Sequence, residues 1–368
     1  MPMRIKDIKL RVIYNVLGDQ TIEAIINNKF MASAPSGTSR GAYEAKTQPI
    51  ETAISHFNRT KEEFIGTFTQ KSFDSKLKEH VDYLGANTTT SLSLAFFSPT
   101  ELKNTFPNLL GNVLGGGMHT KIATRMNIQE ILTIPNAPSI PKAIDTNIKI
   151  WKEVGKKLPH AKQNIESAWS GDVTNEEALE LVSGIAQKYN AFVGIDVEAS
   201  GFYKDGKYIY WNRELSRQRQ IKYMAGLAKE FNLVYIEDGI EQNDFEGFAL
   251  LRKKLKKTLV CGDDLTVTNP ERLKTAIADK SINAIIIKPN QIGTITDAIE
   301  TMEIAKKHKI VPVVSHRSGE TKDVTICKLA QLAPLAKLGV AGNRKPKLDE
   351  LRRMWFDVKN PKMTKLPF

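Results

Sequence analysis

From about residue 105 onward the chain alternates Val- and Ile-rich apolar runs with amphipathic helical patterns, and few architectures accommodate that rhythm. Parallel strands joined by crossover helices do. The last residue of each apolar run is unexpectedly polar. "AFVGIDVEAS" delivers Asp196, "FNLVYIEDGI" Glu237, "KTLVCGDDL" Asp263, "INAIIIKPNQ" Lys288, "IVPVVSHRSGE" His316 and "LAPLAKLGVAG" Lys337. The ends are spaced by roughly 20 to 40 residues, one strand and one helix apiece, which fits a (β/α)₈ barrel of about 250 residues. In such a barrel the C-terminal strand ends share one mouth, so these distant side chains converge. A lone Asp after a strand is usually a turn former or a helix cap. Turn chemistry alone, however, favours Gly, Asn and Ser over a set of carboxylates, lysines and a histidine.

The helices between the strands carry their own punctuation. "TNEEALELVSGIAQKY" opens with a Thr/Asn cap and glutamates in its first turn, and Ala178, Leu181, Val182 and Ile185 fall on one face. "TNPERLKTAIADK" has Asn269 to cap and Pro270 at the first helical position. The first hundred residues differ. Short strands ("IKLRVIY", "TIEAIIN", "KFMASAP"), the loop "PSGTSRGAYE" and then helical patterns predict an α+β unit. The expected fold is therefore α/β, an N-terminal α+β capping domain (1–105) followed by a C-terminal TIM-like (β/α)₈ barrel (106–368).

No window approaches the length of apolar sequence that a membrane span requires, and "MPMRIKDIKLRVIY" lacks the apolar core of a signal peptide. Cys261 and Cys327 lie far apart in apolar surroundings and form no metal or disulfide framework, so a reduced, cytoplasmic setting is expected. The formal charge of +12 could draw nucleic acid or a small polyanion. Its densest run, "LRKKLKKT", reads as a solvated helix face, with a docking patch for an acidic partner as the alternative.

Carboxylates on successive strand ends, without clustered His or Cys, suit a hard divalent cation bound through oxygen, Mg²⁺ above all. Three separate salt bridges are the plainer alternative. Lys288, after three isoleucines, would have its pKa lowered by burial and by the neighbouring cation, as a base near pH 7 requires. A metal with a lysine base suits proton abstraction next to a carboxylate. Arg317 and Ser318 suit a second anionic group, since the guanidinium fork matches phosphate or carboxylate.

These segments carry a family resemblance. "SHRSGETKD", "GDDLTVTNPERL", "KPNQIGT", "YIEDGIEQNDFEG", "GIDVEASGFYKDGKY", "PSGTSRGAYEA", "LGAN" and "GNVLGGGMH…NIQE" resemble motifs of the enolase family, each in the family's order. The resemblance implies a hydro-lyase interconverting 2-phosphoglycerate and phosphoenolpyruvate with two Mg²⁺ per active site, a phosphorylated small-molecule substrate and a homo-oligomer, dimer or octamer. It implies Asp196, Glu237 and Asp263 as ligands of the tighter Mg²⁺, and Ser39, in the closing loop, as a contact to the second. Lys288 matches the base at C2 and Lys337 the lysine that neutralises the enediolate. Arg317 and Ser318 match phosphate-binding positions, His119 a loop histidine that approaches the phosphate, and His316 a histidine near the leaving hydroxyl. Glu130 and Glu166 match the glutamates around that hydroxyl, with Glu166 as general acid. A lysine or histidine base working with Mg²⁺ is a general pattern of this superfamily.

Two stretches depart from the family pattern. Where the family carries Asp-Glu-Gly-Gly, this chain reads Ile165-Glu166-Ser167-Ala168-Trp169, and after Lys337 "GVAGNRKPKLDEL" replaces a Gly-Ala-Pro-Ala-Arg-Ser-Glu run, with Arg344 as the matching arginine. Arg40 also stands for a small residue in the closing loop. The alternatives are a superfamily enzyme on a related 2-hydroxy or 2-phospho acid, and a catalytically weak enolase-like protein whose basic surface binds nucleic acid or an acidic partner.

Overall fold

The computed structural model describes residues 2–38, 40–120, 124–158 and 160–368. Its N-terminal part is an antiparallel meander of β1 (Ile8–Tyr14), β2 (Gln20–Ile26) and β3 (Phe30–Ser33), followed by α1 (Ile50–Thr60), α2 (Gln70–Glu79) and α3 (Ala86–Phe97). Strand β2 alternates as a half-buried strand should, with Ile22, Ala24 and Ile26 inward. Helix α3 is almost wholly buried, and its Ser91 hydroxyl donates back to the Thr88 carbonyl at 2.8 Å. The meander and helices are tied to the barrel by polar contacts. Ser93 Oγ accepts from the Ile295 N–H at 2.9 Å, and Asp74 accepts from the Thr296 N–H at 2.9 Å.

Eight strands close into a barrel: β4 (Asn108–Gly115), β5 (Glu130–Pro135), β6 (Ala191–Asp196), β7 (Tyr235–Glu237), β8 (Leu259–Gly262), β9 (Ala284–Ile287), β10 (Val311–Ser315) and β11 (Leu335–Lys337). Pairing of β11 with β4, Lys337 opposite Leu110, completes the ring. One strand departs from the expected all-parallel pattern: β5 runs antiparallel to both neighbours. The reason is the connection. Among the described residues no crossover helix separates β4 from β5, and strands joined by a short connection return antiparallel. Two helices, α4 (Ile140–Lys157) and α5 (Asn175–Lys188), then bring the chain to the start of β6. Glu130, the first residue of β5, therefore sits at the same rim as Asp196, the last residue of β6; the two are register partners.

Helices α6 (Arg217–Glu230), α7 (Phe245–Lys254), α8 (Pro270–Ala278), α9 (Ile295–Lys307), α10 (Ile326–Ala330) and α11 (Lys345–Asp357) complete the outer layer. Thr174 caps α5 in a reciprocal box with Glu177, and Asn269 caps α8 ahead of Pro270. On α5 the buried stripe is Ala178, Leu179, Val182 and Ile185; Leu181, expected inward, is only half-buried at its edge. The basic run Arg252–Lys257 spans the end of α7 and the loop before β8. It lies at the opposite end of the barrel from the mouth, where its cations complement the helix C-terminus. No described helix is long and apolar enough to cross a membrane.

Strand parity aims the functional residues. The barrel interior holds Leu132, Tyr235, Cys261, Ala284, Ile286, Val313 and Leu335, whereas Ile285 and Ile287 pack outward beneath the helices. Side chains alternate with period two. Glu130, Glu237, Asp263, Lys288 and Lys337 have the parity of these interior residues, so each points along the barrel axis.

Candidate active site

The mouth gathers Glu44, His119, Glu130, Glu166, Asp196, Asp263, Lys288, His316, Arg317, Ser318 and Lys337 around one small cavity, together with Gln129, Glu198, Asp238 and Asp264. Ser39, expected at the second Mg²⁺, lies outside the described residues. Lys337 Nζ is 2.7 Å from Asp196 Oδ2, 3.0 Å from Glu237 Oε1 and 3.2 Å from Glu130 Oε2. The Tyr235 hydroxyl donates to Glu237 Oε2 from below at 2.7 Å. Glu237 is thus fully buried and does not line the cavity. Lys288 pairs with Asp263 Oδ2, while Oδ1 accepts from Gln291 Nε2 at 2.9 Å.

The expected trio is engaged by two lysines, Asp196 and Glu237 by Lys337 and Asp263 by Lys288. Among the described residues, the groups of three whose potential ligand atoms all lie within 4.8 Å of one another are Asp238, Asp263 and Asp264, and His119, Glu130 and Glu166. Buried carboxylates need a cation, and Lys337 and Lys288 supply one to each side of the mouth. Asp238 was not anticipated. It accepts from the N–H groups of Asp263 and Asp264 at 3.0 and 2.7 Å and so fixes the end of β8. The doubled acids in "IEDG" and "GDDL" were the available signal. An all-oxygen set of this kind fits a hard divalent cation.

Electrostatics follow the pairing. Burial and the neighbouring Asp196 charge push Glu237 up to about 8. Burial would raise Asp263, but Lys288, Arg317 and Gln291 together hold it below its usual value. Burial would lower Lys288, but the Asp263 and Glu237 charges together leave it above the usual lysine value while it is paired with Asp263. Burial, reinforced by the Glu166 charge, holds Glu130 well above the carboxylate range in spite of Lys337. Glu166 goes the other way. Burial would raise it, yet His119, His316, Arg344 and Lys337 together bring it well below. The two neighbouring glutamates are thus shifted in opposite directions. His119 and His316 are both lowered by burial.

Arg317 meets Glu44 in a fork, Nη1 to Oε2 at 2.9 Å and Nη2 to Oε1 at 3.0 Å. Ser318 Oγ accepts from the Thr38 N–H at 2.8 Å. The polar end of "VVSHRSGE" is thereby explained, because it contacts the loop that leads from the capping meander. Glu44 lies off the strand pattern and carried no signal beyond its place in "GAYEA".

Glu166 stands on a turn between α4 and α5. Its carboxylate is 3.3 Å from Arg344 Nη2, 3.6 Å from His316 Nε2 and 4.0 Å from His119 Nδ1. Trp169 follows, stacked on Trp151 with ring centroids 4.9 Å apart, and its indole N–H donates to the Trp151 carbonyl at 2.7 Å. Gly155 of α4 makes room for that ring: a Cβ there would lie 2.3 Å from a Trp169 ring carbon. Gly155→Ala should therefore lower stability by about 1–3 kcal/mol through overpacking. Thermal unfolding would show a reduced midpoint, and an unchanged one would count against this packing.

A closed barrel whose mouth holds buried carboxylates, two lysines and a forked arginine has the groups that acid–base chemistry on an anion requires. Residues 103–342 match the family described as "Enolase, C-terminal TIM barrel domain". The chain is similar to proteins named enolase from Natronomonas pharaonis (38% identical; 95% of this chain, 98% of that one) and Methanosphaera stadtmanae (37%; 98% and 99%). That from Archaeoglobus fulgidus is 35% identical over 98% of this chain and 99% of its own. This chain belongs to the enolase family and is a carbon–oxygen lyase of the hydro-lyase type. Family membership implies a metal cofactor.

Proposed function

We propose that the protein interconverts 2-phosphoglycerate and phosphoenolpyruvate plus water, in glycolysis and gluconeogenesis, with two Mg²⁺ per active site. The observation that carries this reading is the placement of Lys288 and Glu130. They stand on β9 and β5, four strands apart in a ring of eight, and so face each other across the mouth. One group can remove the C2 proton from one side while the 3-hydroxyl departs on the other.

In this reading Asp196, Glu237 and Asp263 hold one Mg²⁺ and Ser39 reaches the second. Bound Mg²⁺ would supply the positive charge that makes a doubly negative carboxylate tolerable. The chain's own residues do the rest. Arg317 and Ser318 bind the phosphate, Arg317 exchanging its fork with Glu44 for the ligand, and His119 approaches the same group. Lys288 leaves Asp263, releases its proton to solvent and takes the one at C2. Lys337 neutralises the enediolate. Glu130 and Glu166 share one proton, since close glutamates do not both ionise; it passes to Glu166, which delivers it to the departing hydroxyl beside His316 so that water leaves. The same reading makes the protein a cytoplasmic homo-oligomer, dimer or octamer.

Chelation tests the metal requirement. Protein dialysed against EDTA should form no phosphoenolpyruvate and should recover on adding Mg²⁺. Turnover that persists in EDTA would overturn the proposal.

A further inference from the structure

The two segments in which this chain departs from the family pattern touch each other, and both touch Glu166. Asn164 Oδ1 accepts from the N–H of Glu166 at 2.9 Å and from that of Ala168 at 3.1 Å. The Asn164 N–H in turn donates to the Ala168 carbonyl at 2.8 Å, which closes the turn. An asparagine side chain thus organises a turn that the family builds with glycines. Ser167 adopts the left-handed region at φ 65°, an uncommon place for a residue with a side chain. It is held there from two sides. The Trp151 indole N–H donates to its carbonyl at 2.9 Å, and its Oγ accepts from the Asn343 N–H at 3.2 Å.

The second segment is shaped to receive it. Gly342, at φ 55°, has no room for a side chain, since a Cβ there would lie 2.1 Å from Ser167 Oγ. Two residues on, Arg344 is fully buried. Its Nη2 donates to the Ser318 carbonyl at 3.0 Å and lies 3.3 Å from Glu166 Oε1. Residues 342–344 therefore touch the turn at Ser167 and the carboxylate that the turn presents.

We propose that segments 164–168 and 342–344 form one positioning clamp for Glu166. Asn164 and Ser167 set the turn, Gly342 and Asn343 lock it, and Arg344 fixes the direction of the carboxylate. None of these residues lines the mouth cavity; they act through Glu166. The proposal rests on the reading of Glu166 as proton donor to the leaving hydroxyl.

The test separates C2 proton exchange from dehydration in deuterated buffer. Asn164→Ala should lose dehydration by ten- to a hundredfold and largely keep exchange, whereas Asn164→Asp, which retains the acceptor oxygen, should restore most of the loss. Gly342→Ala should behave like Asn164→Ala, and adding Ser167→Gly should relieve it by removing the colliding Oγ. In a Glu166→Gln background, Asn164→Ala should cost nothing further. Equal loss of exchange and dehydration, or a further loss in that background, would mean a general structural role and overturn the clamp. Unchanged dehydration in Asn164→Ala and Gly342→Ala would overturn it too. Failure of Glu166→Gln alone to separate the two reactions would instead remove the donor assignment on which the clamp rests.

Discussion

Lys288→Ala should abolish exchange of the C2 proton in deuterated buffer and, with it, all measurable dehydration. General bases contribute about 10²–10⁴ in rate, and loss of the first chemical step leaves no bypass for the second. The substitution also strips Asp263 of its cation, so a folding defect must be excluded. Lys288→Arg serves that purpose. The guanidinium keeps a positive charge beside Asp263 but does not deprotonate, so this variant should be folded and equally inactive in exchange. Exchange near the wild-type rate in either variant would remove Lys288 as the base.

Glu166→Gln should split the reaction. Its side chain keeps the shape of the carboxylate among His119, His316 and Arg344 but cannot deliver a proton to a leaving hydroxyl. C2 exchange should survive within about tenfold, while dehydration falls by roughly 10²–10⁴, the usual contribution of a positioned acid. Measuring both rates on one preparation is decisive, because a misfolded protein loses both. Loss of both in a variant that unfolds like the wild type would count against Glu166 as donor, with Glu130 the next carboxyl by position.

Much of the barrel could be read from the alternation of apolar runs with amphipathic helical patterns. Asp196, Glu237, Asp263, Lys288 and Lys337 each end an apolar run, and each meets the others at one rim because parallel strands finish on the same side. Glu130 could not be placed that way. It begins its strand, and only the antiparallel pairing of β5 turns that beginning toward the mouth. Pairings across the site were equally hidden. Glu44 reaches Arg317 from 273 positions away, and Lys337 reaches Asp196 from 141. Sequence shows which charges a strand end carries, not which opposite charge it finds when the ring closes. Lys288 illustrates the point: its apolar approach gave no sign of Asp263, whose charge works against the lowering that burial brings.

The turn at Glu166 shows the reverse case. Loss of the family's glycines left open how the backbone could bend there. Asn164, Ser167 and Gly342 answer it together, by contacts between segments some 175 residues apart that no local pattern displays.

Absorbance of phosphoenolpyruvate, followed after mixing the purified protein with 2-phosphoglycerate and Mg²⁺, tests the proposed chemistry most directly. A rise that depends on protein concentration is the predicted result. No rise across a broad range of Mg²⁺ concentrations, with folded protein, would contradict it.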